Sequence, residues 1–96
     1  MNLNEWRDRC HKLAVSKGFW DASDNVAVKL MLVTTELAEA CESDRHGDRD
    51  GFCEEVIDAF IRLFDLAGGY DIDIESEIER KMLINEGRPK LHGKRY

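Results

Sequence analysis

Four acidic residues stand in two pairs of equal spacing, Glu36 with Glu39 and Glu55 with Asp58. Residues three apart on a helix emerge within about 60° of each other, so each pair would present two carboxylates to one side. Fifteen residues separate the pairs. If their helices pack as an antiparallel pair, which the short loop between them favours, all four carboxylates can converge at the bundle edge. Convergent carboxylates repel unless something positive lies between them. Hard oxygen ligands suit Mg²⁺, with Mn²⁺ as a substitute, and no softer ligand is placed to suggest zinc. The plainer alternative is two solvated acidic faces. A carboxylate-bridged di-iron bundle would need Glu-x-x-His on two helices, and the nearest approach is a single Asp8-x-x-His11. Arg62 shares the strip of Glu55, Asp58 and Asp65, where it would orient Asp58 or Glu55 from behind.

Four helical segments must position these groups. The first runs from about Asn4 to Lys17, with Trp6, Cys10, Leu13 and Ala14 on one face and Gly18 as a stop. In the connector, Ser23, Asp24 and Asn25 are candidate N-caps for the second helix. That helix carries Val26, Leu30, Val33, Leu37 and Cys41 as an apolar stripe and fades toward Gly47. A third runs from about Gly51 to Ala67, stopped by Gly68-Gly69. A fourth begins after Asp71 or Asp73 and ends near Gly87 and Pro89. Strand alternation is nearly absent, so the expected class is all-α, a four-to-five-helix bundle in one domain spanning residues 1–96. The third helix is apolar over more than half its circumference, beyond the stripe of about 100° that a surface helix needs. It should bury one face in its own bundle and another against a second copy of the chain; the alternative is full enclosure within one subunit.

Twenty acids against fourteen Lys and Arg give a net charge of −6 over 96 residues. That balance argues against polymeric nucleic acid or anionic membrane as a partner. The charge is uneven: residues 1–87 carry −10, whereas the segment 88–96 carries +4 from Arg88, Lys90, Lys94 and Arg95. The N-terminal stretch has no apolar run of signal-peptide length. The most apolar stretch, Val26 to Val33, is interrupted by Lys29 and is too short to span a bilayer. Three cysteines without a CxxC fit a reduced, cytoplasmic setting, and each reads as core filler at helical spacing.

Glu36-Leu-Ala-Glu39 followed by Glu55-Val-Ile-Asp58 resembles the ExxE…ExxD signature of the all-α nucleoside triphosphate pyrophosphohydrolases, the MazG-like superfamily. The stretch from Val28 to Glu42 resembles its second helix. Ile61-Arg-Leu-Phe-Asp-Leu and Tyr70-Asp-Ile-Asp resemble the third helix and the turn after it. Lys81-Met-Leu-Ile-Asn85 and Arg88-Pro-Lys-Leu-His92-Gly-Lys94 are similar to the closing segment of one subgroup. The resemblance covers roughly Ala27 to Lys94.

This resemblance implies Mg²⁺-dependent hydrolysis between the α- and β-phosphates of a standard or modified nucleoside triphosphate, giving a monophosphate and pyrophosphate. Metal would be held by Glu36, Glu39, Glu55 and Asp58, with Glu36 or Glu39 the first choice for accepting the water proton. Lys81 and Asn85, four apart, would contact phosphate or ribose. Arg88, Lys90 and Lys94 would close over the β- and γ-phosphates. His92 would bond a phosphate or cap the turn. Among Trp6, Phe19 and Trp20, the connector residue Trp20 is the candidate for stacking on the base. The implied assembly is a homodimer or a dimer of dimers. The competing readings are a non-catalytic helical oligomerisation module, a nucleotide sensor, and a regulator whose acidic face docks a basic partner.

Overall fold

The computed structural model describes residues 1–21 and 25–96, so Ser23 and Asp24 lie outside the described residues. Among the described residues four helices follow in order: α1 (Leu3–Ser16), α2 (Val26–Arg45), α3 (Arg49–Gly69) and α4 (Ile74–Glu86), then a 3-10 turn (Lys90–Gly93). Every regular element among the described residues is helical. Each α-helix starts on a side chain that satisfies otherwise orphaned N–H groups. Asn2 and Glu5 cap α1 reciprocally, and Asn25 accepts from Ala27 and Val28. Asp48 accepts from Gly51, and Asp73 from Ser76. Gly18, with φ of +87°, allows the left-handed turn that ends α1.

The helix α3 is the centre of the chain. Both α1 and α2 pack along it, whereas α4 packs chiefly against α1. A polar joint makes that last contact. Asn4 accepts the Ile74 N–H at 2.8 Å and donates to Asp73 at 2.9 Å; Arg7 donates to the Ile72 carbonyl, and Glu75 accepts the Leu3 N–H.

The structure corrects the expected end of the third helix. Gly68 and Gly69 do not stop α3; both lie inside it. Their role is close approach. A Cβ on Gly68 would come within 2.6 Å of His11 Cβ, and one on Gly69 would overlap the Trp20 ring.

The buried seam also differs from the expected stripe. On α2 it consists of Val33, Glu36 and Ala40, with Ala59 and Ala67 opposite on α3. Val26, Leu30, Leu37 and Cys41 point outward and are exposed, and Cys53 is exposed too. Cys10 alone of the thiols is half-buried. Small alanines let the backbones of α2 and α3 approach, and that approach places Glu36 in the seam. Ile57, Phe60, Ile61 and Leu63 of α3 are exposed, as are Ile78, Met82 and Leu83 of α4, so α3 is not enclosed by its own chain. Among the described residues no helix is long and apolar enough to cross a membrane.

Candidate functional site

At the site, α2 contributes Glu36 and Glu39, and α3 contributes Glu55. One carboxylate oxygen from each lies within 4.8 Å of the other two. Glu36 is the buried member, at 8% exposure. Its Oε1 accepts the Arg62 Nε–H at 2.7 Å. That hydrogen bond with the guanidinium holds the Glu36 carboxyl below its ordinary range, despite the opposing effect of burial. Arg62 therefore partners Glu36, not Asp58 or Glu55 as its position on the α3 strip suggests. The reason is reach: an Arg one helical turn beyond Asp58 extends across the α2–α3 seam.

Glu55 responds in the opposite direction. Its hydrogen bonds with Glu36 and then Glu39, together with burial and the two neighbouring charges, push its pKa up to about 7. Its Oε2 is covered and has no hydrogen-bond partner. The cluster thus holds three carboxyl groups with one guanidinium to balance them. The raised pKa of Glu55 means that the excess charge is relieved by protonation there as pH falls through about 7. A cation among the three oxygens would do the same, and an all-carboxylate donor set fits a hard divalent ion.

Asp58 does not join the three converging oxygens. It lines an adjoining cavity together with Glu36 and Arg62. Asp58 is one methylene shorter than the glutamates, and it leaves α3 one turn further along, toward α1.

The remaining predicted residues are distributed as follows. Lys81 is exposed on α4, and Asn85 is half-buried with its Oδ1 covered and unpartnered. Arg88, Lys90, His92 and Lys94 are exposed, with Arg88 Nη1 3.4 Å from His92 Nδ1. Among the described residues, none of these six forms a hydrogen bond or ion pair with Glu36, Glu39, Glu55 or Asp58. Leu91 and His92 adopt left-handed backbone, with φ of 57° and 52°, folding the tail into its tight turn.

Trp20 has a different environment from that of a free stacking surface. Its indole N–H donates to Asp65 Oδ1 at 2.8 Å, and His11 meets its ring edge-on at 4.8 Å. The Lys29 ammonium lies 3.5 Å from its ring centre. The aromatic residue that lines the cavity beside Glu36 is Phe19. Lys17 and Asp65 line it as well, and neither stands out in the sequence as a site residue. Asp65 is visible there only as the next polar residue, three beyond Arg62.

No family model matches the chain, and no curated protein or solved structure does.

Proposed function

We propose that this protein is a Mg²⁺-dependent nucleoside triphosphate pyrophosphohydrolase of the MazG-like kind, acting in a reduced, cytoplasmic setting. The observation that carries the reading is the convergence of Glu36, Glu39 and Glu55 oxygens within 4.8 Å, beside a cavity lined by Asp58. These residues would hold the metal, which when bound supplies charge neutralisation for phosphate oxygens and a more acidic water. The chain's own residues set the rest. Arg62 keeps Glu36 ionised and fixed in the seam, which makes it a ligand and a poor proton acceptor. Glu39, exposed and without that ion pair, is the better general base of the two. Lys81, Asn85, Arg88, Lys90, His92 and Lys94 would meet the phosphates.

The proposal includes assembly as a homodimer or a dimer of dimers. Two observations support it. Large apolar side chains are exposed along α2, α3 and α4, and the tail cations make no contact with the carboxylates of their own chain among the described residues. A second copy could cover the first set and bring basic segments to the carboxylates.

The test is a panel of nucleoside triphosphates with Mg²⁺, with monophosphate and pyrophosphate measured separately. Release that depends on Mg²⁺ and falls sharply in Glu39→Gln and Glu55→Gln is expected. No release from any nucleotide, or release undiminished in both variants, overturns the reading. Mg²⁺-dependent nucleotide binding without turnover would favour a sensor.

A further inference from the structure

The Arg62 side chain is mostly covered, with 30% of it exposed. Its hydrogen bonding does not account for that cover: among the described residues the guanidinium bonds one partner, Glu36, through Nε. A single hydrogen bond at the end of a long, rotatable stem leaves the plane of the guanidinium free to swing. Something else must hold it at 2.7 Å from Glu36 Oε1.

What lies over it is the connector after α1. The Phe19 ring centre is 5.9 Å from the Arg62 guanidinium, inside the reach of about 6 Å within which an aromatic face attracts a cation. Beside this contact, a cleft of about 20 Å³ is bounded by Phe19, Lys29, Leu32, Arg62, Asp65 and Leu66. That is room for about one water, so the connector closes down onto α2 and α3 at Arg62. Phe19 is not kept there by a core, since it is 56% exposed. Its backbone is pinned instead. The Lys29 ammonium donates to the Phe19 carbonyl at 3.2 Å and lies 3.5 Å from the ring centre of the next residue, Trp20. The Trp20 indole N–H donates to Asp65 Oδ1 at 2.8 Å, and that oxygen lies 2.9 Å from His11 Nδ1. Asp65 is three residues beyond Arg62, on the same side of α3. The connector is thus tied to α1 through His11, to α2 through Lys29 and to α3 through Asp65.

We infer that Phe19 is a positioning residue: its ring holds the Arg62 guanidinium against Glu36, and the joint of Trp20, Asp65 and Lys29 keeps the ring in place. Arg62 in turn fixes Glu36, which supplies one of the three converging oxygens. The connector therefore acts on the carboxylate cluster through Arg62. The catalytic consequence rests on the function proposed above; the positioning itself does not.

The experiment uses the full chain, isotope-labelled and metal-free, followed by NMR in mildly acidic buffer, where guanidinium N–H exchange with water is slow enough to measure. The Arg62 Nε–H signal is identified by its loss in Arg62→Lys. Exchange of that hydrogen is expected to quicken about two- to fivefold in Phe19→Ala, the range for losing a partly exposed cation–π contact. It should return toward the wild-type rate in Phe19→Tyr, which keeps the ring. Val15→Ala trims another exposed apolar side chain and should leave the rate unchanged. An unchanged rate in Phe19→Ala, a rate in Phe19→Tyr as fast as in Phe19→Ala, or equal quickening in Val15→Ala overturns the inference. In hydrolysis assays with Mg²⁺, Phe19→Ala should lower kcat by a similar factor with KM unchanged. A raised KM with kcat and the exchange rate unchanged overturns the inference. If the wild type hydrolyses no nucleotide, the catalytic reading falls and the exchange rates still decide the role of Phe19.

Discussion

Replacing Arg62 with Met removes the guanidinium bonded to Glu36 while keeping most of the side-chain volume. The pair is close, at 2.7 Å, and well shielded on the acidic side, with side-chain exposures of 30% for Arg62 and 10% for Glu36. A hydrogen bond to a charged group contributes about 1.5–3 kcal/mol, and stripping a fully buried pair of one partner costs about 3–5 kcal/mol. Partial exposure of the guanidinium discounts the larger figure, so we expect a loss of about 2 kcal/mol at neutral pH. For a chain of this size that is a fall in Tm of roughly 8–16 °C. The effect has a pH signature. The folded Glu36 carboxyl lies below its ordinary value of 4.5, so the stabilisation is present above that value and is lost as pH falls through the folded pKa. The gap between wild type and Arg62→Met in urea denaturation should therefore be largest at neutral pH and shrink below about pH 4. Adding Glu36→Gln to Arg62→Met should recover part of the loss at neutral pH, because the unpaired charge is then gone. A deficit of the same size at pH 7 and pH 3.5, or no deficit at all, would refute the claim that Arg62 balances the cluster.

Three further outcomes follow from particular contacts. Glu55, with a folded pKa of about 7 against an ordinary 4.5, contributes stability that is full below its ordinary value and is lost as pH rises through about 7. Metal-free wild type should therefore lose stability from pH 5 to pH 8, and Glu55→Gln should flatten that slope in urea titrations. Gly69→Ala places a methyl into the Trp20 ring. It should cost about 1–3 kcal/mol, as overpacking does, with a change in Trp fluorescence that marks displacement of Trp20. Asn4→Ala removes both the acceptor for the Ile74 N–H and the donor to Asp73. A loss of about 1 kcal/mol is expected, typical of a lost helix cap, and limited proteolysis should cut first at the α3–α4 junction.

Helix existence was legible in the sequence because the caps and periodicities are local. Asn25 and Asp73 are among the start signals read from the sequence, and the structure places helices behind both; Asp48, the cap of α3, does not stand out there because Arg49-Asp50-Gly51 separates it from the apolar run. What local pattern could not supply was which apolar face meets which. Of the expected Val26/Leu30/Val33/Leu37/Cys41 stripe, Val33 is buried while the other four are exposed, and the buried seam continues through Ala40, which hydrophobicity ranks lower. Close packing reverses that order, since alanines permit the backbones of α2 and α3 to approach while bulkier residues hold them apart. Gly68-Gly69 shows the same limit. A glycine pair is a stop signal when read along the chain, but His11 and Trp20, which need the space, are about fifty residues away.

The spacing of the two carboxylate pairs points to convergence, and oxygens of three of the four residues do converge, but it could not indicate the burial of one member. Spacing predicts that Glu36 and Glu39 point to the same side of α2; it does not reveal that the α2–α3 seam passes between them. With Glu36 inside the seam and Glu39 outside it, two chemically identical residues three apart acquire different roles. The inner carboxylate is stabilised in its ionised form by a counter-charge, and Arg62 provides it. Once that guanidinium is committed to Glu36, nothing on α2 or α3 neutralises Glu39 and Glu55 as well, and the remaining charge is managed by a proton on Glu55. With the Glu55 pKa raised to about 7, that proton is lost as pH rises through neutrality, and the repulsion among the three carboxylates returns.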